Sequence, residues 1–192
     1  MPIETILPDA TTTAHPTWSG AVHTLLSDQG SNVTTQAGAN IGNVVIVSFG
    51  NLTSDIDSIN SIRFYVNGIT GAPRGVTAVV AFDLLNSSDS SYSLSENKSF
   101  TDTTFGTEQA GTERTTSDGS TAWTESDVNG LRMSIKCTSI TNAGSEISLD
   151  FLKIDVDYNA AAVPPPPTYD TTINNTHITS GNINVTSGNI FI

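Results

Sequence analysis

Two pairs of aspartates have a spacing that could support catalysis. Asp55 and Asp57, and likewise Asp155 and Asp157, are separated by a single residue. Glycoside hydrolases place two carboxylates on opposite sides of the bond they cleave, as acid and as base or nucleophile. Asp155 and Asp157 alternate with Val156 along a strand-like segment, so both side chains should point to the same side. We interpret this pair as part of a solvated strand face.

Calcium binding is a second chemistry open to the polar segments. Asp28, Asp55 and Asp57 could contribute the oxygen ligands that Ca²⁺ prefers. The sequence does not contain the EF-hand loop pattern. We therefore assign no metal ligand and no cofactor.

Nucleophilic catalysis has no clear sequence signal either. Cys137 is the single cysteine, and it alternates with Leu131, Met133 and Ile135. This pattern indicates a small buried hydrophobe and not a reactive thiol. The histidines occur in no Ser-His-Asp or Cys-His context, and the sequence has no phosphate-binding, dinucleotide-binding or zinc-protease motif. We expect a protein that is not an enzyme.

The two tryptophans allow two interpretations. Trp18 and Trp123 could form an aromatic platform for a sugar, or they could pack in the core or at its edge. Trp123 directly precedes a short TESDVNG segment and an alternating strand, where it could close one end of a sandwich. We favour packing and keep glycan binding as the alternative.

The net charge limits the partners that this chain can bind. The 192 residues carry 19 acidic and only 7 Lys or Arg side chains, for a formal net charge of −12. Nucleic-acid binding requires a basic surface that meets phosphates, so we expect no nucleic-acid partner. The sequence also contains no apolar run of the roughly 20 residues that a membrane span requires, and its start does not resemble a signal peptide.

The hydrophobic pattern predicts an all-β protein. Ser, Thr, Asn and Gly are abundant, and these residues favour turns and strands over helices. Strand-like runs separated by polar turn clusters, without long helical periodicity, predict an antiparallel β-sandwich. The best helix candidate is TESDVNG, which is expected to form at most one or two turns. The clearest strands are expected within residues 43–50, 61–68, 76–85, 131–137 and 146–158.

The last of these runs changes phase. Ile147, Leu149 and Phe151 alternate as one apolar face, and a second face begins at Leu152. Because a shift by one residue exchanges the two faces of a strand, we expect a β-bulge at Phe151–Leu152.

Composition divides the chain into four regions. We expect an N-terminal arm at residues 1–17, the sandwich at 18–159, a linker at 160–168 and a tail at 169–192. The linker contains four consecutive prolines, which favour an extended, semi-rigid spacer.

The tail repeats a short motif, ITSGNI and then VTSGNI, with a seven-residue period. Ser-Gly-Asn would interrupt a helix, and the spacing lacks the three-and-four pattern of a coiled coil. Short strands joined by turns fit better, and a single copy could not bury its apolar side chains. We predict an oligomer or capsid interface in the tail, formed by Ile178, Ile183, Val185, Ile190 and Ile192.

Two stretches resemble virion structural proteins of tailed bacteriophages. Residues 123–159 have a Trp, an SDVNGL turn, an alternating strand, a small-residue turn and a final strand with alternating Val or Ile, Asp and Tyr. The start, IETILPDATTTAHPTW, is similar to the opening of the same proteins. With the strands between, the resemblance covers residues 3–159. It implies a jelly-roll-like or galactose-binding-like sandwich, as in head decoration, head fibre or tail-associated modules, and it supplies no catalytic residues.

The resemblance implies a capsid decoration or cement protein, located in the virion after assembly in the host cytoplasm. Its partners would be the major capsid protein or another virion protein, and further copies of itself in a homotrimer. By the same resemblance, the alternative is a tail-fibre or host-surface module that binds a glycan.

Overall fold

The computed structural model describes residues 2–14, 17–18, 22–27, 34–37, 41–70, 75–106, 108–142 and 144–165. The chain divides into two units, Met1–Ala162 and Val163–Ile192. All strands and helices given below belong to the first unit. In the second unit the description covers residues 163–165, where Val163 is exposed.

Ten β-strands and two short helices occur within the described residues. In chain order they are β1 (Ile3–Ile6), β2 (Pro8–Thr13), α1 (Val22–Ser27), β3 (Thr34–Ala37), β4 (Val44–Phe49), β5 (Ile56–Thr70), β6 (Ala78–Leu85), β7 (Glu96–Phe100), β8 (Gln109–Ala110), α2 (Glu125–Asn129), β9 (Arg132–Ile140) and β10 (Glu146–Ala160).

The strands form two antiparallel sheets, as an all-β sandwich requires. The first sheet has the order β1-β10-β5-β8, and β3 also pairs with β10. The second sheet has the order β2-β4-β9-β6-β7. Since β5 occupies one side of β10 along most of its length, β1 and β3 share its other side.

Alternating apolar residues place the core between the two sheets. In β9 the buried side chains are Met133, Ile135 and Cys137, as the sequence predicts. The rings of Phe64 in β5 and Phe82 in β6 lie 5.5 Å apart and join the two sheets. Such buried aromatic pairs contribute stabilisation beyond that expected from the apolar area they remove from water.

The first residues of the chain belong to the sandwich and not to a separate arm. Ile3–Ile6 pairs with β10, and Pro8–Thr13 pairs with β4. The predicted boundary between a 1–17 arm and an 18–159 sandwich is therefore wrong. Proline and threonine suggested an arm, but Pro8 begins an edge strand, a position where a missing N–H is tolerated, and Ile6 is buried in the core.

Strand β10 contains the predicted irregularity at a different residue. Its register with β5 shifts between Leu149 and Phe151, and Asp150 is buried there. Phe151 is half-buried, and the inward face resumes at Leu152. The bulge thus precedes Phe151 and does not lie between Phe151 and Leu152. Apolar periodicity places the bulge one residue late, because it follows only apolar side chains and Asp150 is buried as well.

Helix α2 follows the prediction for TESDVNG. Thr124 caps the helix by accepting a hydrogen bond from the backbone N–H of Asp127, whose carboxylate accepts one from the N–H of Thr124. This reciprocal capping box satisfies two backbone donors at once. Val128 is the buried residue of the helix, which ends at Asn129 with Gly130 as its C-cap.

A polar contact from Glu96 also connects the two sheets. Glu96, on β7 of the second sheet, accepts hydrogen bonds from the backbone N–H of Thr112 and from Arg114, and it forms an ion pair with Lys98. Arg114 in turn forms two backbone hydrogen bonds with Ile62 of the first sheet. Burial alone would raise the pKa of Glu96, but the Thr112 N–H and the Lys98 ammonium outweigh it and lower that pKa.

Candidate functional site

The outer face of the first sheet brings together polar side chains from three strands. On β10, Asp155 and Asp157 point outward while Ile154 and Val156 are buried. Asp157 lies opposite Ile3 of β1 on one side and Ser61 of β5 on the other. Sheet pairing therefore builds cross-strand rows that the linear sequence does not reveal.

The next row along the same face has a similar arrangement. Asp155 lies between Thr5 of β1 and Arg63 of β5. The Thr5 hydroxyl donates to Asp155 at 2.6 Å, and Tyr65 follows Arg63 on the same face of β5. A cavity of about 170 Å³ opens over these rows, lined by Ile3, Ser61, Arg63, Tyr65, Glu113, Asp155 and Asp157.

Ion pairs and hydrogen bonds engage the charges around this cavity. Arg63 Nη2 lies 2.7 Å from the Glu113 carboxylate. Lys153 Nζ lies 3.8 Å from Asp155, and Asn60 donates to Asp157 at 3.2 Å. The carboxylates of Asp155 and Asp157 are thus supported by neighbours on the sheet, as expected for a structured polar face.

An aromatic ring and an aliphatic side chain accompany these polar groups. The Lys153 ammonium lies 4.7 Å from the centre of the Tyr65 ring, which is cation–π distance. Ile3 is 64% exposed although it belongs to a strand. The cavity therefore offers apolar surface beside hydrogen-bonding groups.

Asp155 and Asp157 are on one face of one strand, as the sequence predicts. Glycosidases need carboxylates opposed across a cleft, which two neighbours on a single strand face do not provide. The other predicted pair, Asp55 and Asp57, lies where the chain enters β5, and the Asp55 carbonyl accepts a hydrogen bond from the N–H of Ala161. Asp28, the third calcium candidate, lies outside the described residues.

A second polar cavity, of about 190 Å³, lies at one end of the second sheet. Asp9 and Ser48 form one side, joined by a 2.6 Å hydrogen bond. Arg132 forms another side and is held by Asp89 at 2.8 Å. The remaining lining comes from Phe49, Asn51, Ser87, Asn129, Gly130 and Leu131.

Both tryptophans are core residues. Trp18 and Trp123 are each 3% exposed, so neither ring is available as a sugar platform. Trp123 donates its indole N–H to the carbonyl of Arg114 at 3.0 Å and contacts the ring of Tyr92 edge-on at 5.2 Å. The packing interpretation of the sequence is confirmed for both residues.

Cys137 is buried, as predicted, and burial raises the pKa of its thiol.

The predicted interface residues of the tail all lie outside the described residues. They are Ile178, Ile183, Val185, Ile190 and Ile192. Within the part of the chain that the structure describes, no cluster of three or more His, Cys, Asp or Glu side chains could hold a metal ion. Among the same residues, no helix has the length and apolar character needed to cross a membrane.

Sequence reasoning missed the cavity, although it named two of its residues. The sequence assigns Ile3 to an arm. Arg63 and Tyr65 are about 90 residues from Asp155 along the chain, so nothing in the sequence indicates that they are neighbours. Only the register of three strands brings them together.

Comparison with known proteins finds no matching family model, no matching curated protein and no matching solved structure.

Proposed function

We propose that this chain is a non-enzymatic structural protein of a tailed-phage particle, a decoration or cement protein that binds and stabilises the head. The observation that carries the proposal is the pairing of its strands. Four antiparallel pairs are nested, since β1 pairs with β10, β4 with β9, β5 with β8 and β6 with β7. This is the pattern of one long hairpin rolled into two sheets.

Nested pairing of eight strands supports a jelly roll as the finer description of the sandwich, with β2 and β3 as additions. Jelly rolls occur in viral capsid proteins and in lectins, the same two classes that the resemblance implies. The phage-like segment 123–159 supports the assignment further. Its Trp123 is buried, its SDVNGL turn forms capped helix α2, and its final strands are β9 and β10.

Burial of the two tryptophans favours the capsid role over the glycan-binding alternative. A tail-fibre or host-surface module would need an exposed aromatic ring, such as Trp18 or Trp123, to hold a glycan. Trp18 is enclosed in the core, so this version of the adhesin loses its aromatic platform.

Attachment is assigned to the tail on the basis of its sequence. The segment 169–192 carries one formal charge, Asp170, and repeated apolar pairs such as Ile183 and Val185. Backbone pairing between short strands gives affinity without charge, which suits contact with a capsid subunit or with other copies in a homotrimer.

The direct test is to locate the chain on purified particles of the phage that encodes it. Mass spectrometry should detect it, and cryo-electron microscopy should place many regularly spaced copies on the head. Particles that lack the chain should release their DNA at a lower temperature. Absence from the particle would refute the proposal, and a location restricted to the tail fibres would favour the adhesin.

A further inference from the structure

We propose that the cavity on the outer face of the first sheet is a binding site for a neutral carbohydrate. Its residues come from β1, β5, β10 and the segment that contains Glu113. The inference is independent of the particle role, because it depends only on the surface of the sandwich. It also relocates glycan binding away from the two buried tryptophans.

The charges already present are the first argument for a neutral ligand, since the lining has one cation, Arg63, beside the carboxylates of Glu113, Asp155 and Asp157. Arg63 is already paired with Glu113, and Lys153 lies within 3.5 Å of Glu108 and 3.8 Å of Asp155. An anionic ligand would have to compete with these pairs and would meet the carboxylates of the lining. A cationic ligand would meet Arg63 and Lys153 beside those carboxylates. A neutral hydroxyl can add a hydrogen bond without breaking an ion pair.

Hydrogen-bonding capacity is the second argument. Arg63 uses Nη2 for Glu113, and its planar guanidinium carries further donors. Asp157 accepts from Asn60 through Oδ1, while a carboxylate has about four acceptor positions. Sugar hydroxyls donate and accept at once, so they match a surface that alternates guanidinium and carboxylate.

The third argument is the apolar surface beside those groups. Ile3 is largely exposed at the rim of the cavity, and Tyr65 contributes a ring with a polar hydroxyl. The C–H face of a sugar ring can pack on Ile3 while its hydroxyls reach Arg63 and Asp157.

The dimensions suit a small ligand on an open face. The cavity, about 170 Å³, is smaller than the roughly 300–1,000 Å³ clefts that enclose drug-sized ligands. One sugar ring would occupy it. Beyond Asp157, the polar face continues through Asn60 and Asn159, which are hydrogen-bonded to each other at 3.1 Å. This continuation gives a neighbouring ring of an oligosaccharide further polar contacts.

The test uses the full chain labelled with ¹⁵N and neutral trisaccharides of glucose, galactose, mannose and N-acetylglucosamine. At least one should shift the amide signals of residues 61–65 and 155–157, with a Kd on the order of 1 mM. Arg63→Lys keeps the charge but loses the planar fork, and it should weaken binding about tenfold. Asp157→Asn, nearly equal in shape, should also weaken it.

Lys136→Ala is the matched control, because Lys136 lies on β9 of the second sheet. It should leave the affinity unchanged. If none of the four trisaccharides shifts these amides at about 20 mM, where millimolar binding would be nearly saturated, the proposal is overturned. It is equally overturned if Lys136→Ala weakens binding as much as Arg63→Lys, or if trilysine binds at these amides while the sugars do not.

Discussion

Gly111 lies directly against the ring of Phe64. A Cβ placed on Gly111 would overlap the ring carbons of Phe64, far inside van der Waals contact. The Gly111 N–H also donates to the Phe64 carbonyl at 2.8 Å. Phe64 cannot move away freely, since its ring packs against Phe82 of the opposite sheet.

Gly111→Ala should therefore destabilise the sandwich. We expect a loss of about 1–3 kcal/mol in the free energy of unfolding, typical of an overpacked core, measured by urea denaturation. Gly106→Ala is the control, because a Cβ there has its nearest neighbour at 4.0 Å. That change should stay within about 0.5 kcal/mol. Equal effects of the two substitutions would contradict the close contact.

Glu96→Gln should weaken the polar connection between the sheets. The amide keeps the shape of the side chain but loses the charge that Arg114 and Lys98 face. We expect a loss of about 1–3 kcal/mol at pH 7, measured by urea denaturation.

This loss should depend on pH. The folded-state pKa of Glu96 is lowered, so its contribution is present above the unfolded pKa of about 4.3. It disappears as the pH falls through the folded value. Wild type and Glu96→Gln should accordingly converge in stability in acid. A difference that is unchanged from pH 7 into strong acid would show that the charge is not responsible.

Thr124→Ala should destabilise the protein by removing the cap of α2. The Thr124 hydroxyl accepts from the Asp127 N–H and donates to the Asp127 carboxylate. Loss of a threonine cap typically costs about 1 kcal/mol, which thermal unfolding can detect. Thr124→Ser keeps the hydroxyl and should remain close to wild type. A serine variant as unstable as the alanine variant would argue against the capping role.

Cys137 should make stability fall in alkaline solution. Burial raises the pKa of its thiol above the value in the unfolded chain, which is about 8.5. Below that pH the thiol is protonated in both states, so its contribution is complete. As the pH rises above the unfolded pKa, the thiol of the unfolded chain loses its proton before the buried thiol does. The contribution to stability is therefore lost as the pH rises through the folded pKa. Urea denaturation between pH 7 and 10 should give a steeper decline for wild type than for Cys137→Ala, and parallel declines would disprove the link.

Deletion of residues 169–192 should abolish self-association without unfolding the sandwich. The elements of the fold all lie in Met1–Ala162, whereas the predicted contact residues are in the tail. Sedimentation should give a trimer mass for the full chain and a monomer mass for the truncated chain, with equal thermal stability of the sandwich. The full chain with Ile183→Ser and Val185→Ser is the matched variant. If the deletion changes neither mass nor attachment, the assigned role of the tail is wrong.

Apolar periodicity predicts the central strands, because each of them has a strand on both sides and buries one face in the core. The alternation of Val80 and Phe82 in β6, and of Met133 and Ile135 in β9, appears in the fold with the expected faces inward. Edge elements carry a weaker pattern, since one of their sides meets solvent. This explains why β1 and β2 were assigned to an arm.

The sequence does not predict helix α1 either, because the local signal for a helix is weak there. Its six residues, Val22–Ser27, have no acidic residue in the first turn and no basic residue in the last. The helix contacts β2, β10 and neighbouring strands, so tertiary packing and not local propensity determines it. The polar cavity escaped prediction likewise, because it depends on which strands become neighbours.

The pairing of β1 with β10 has a consequence for how the protein folds during synthesis. Ile3 meets Asp157, so the first strand must wait for almost the whole sandwich to be translated. At roughly 5–20 residues per second, that interval is on the order of ten seconds. Contacts this distant in sequence also slow folding once the chain is released. The nascent chain therefore spends this period with an incomplete first sheet, and chaperones that shield apolar strands should bind it before β10 emerges from the ribosome.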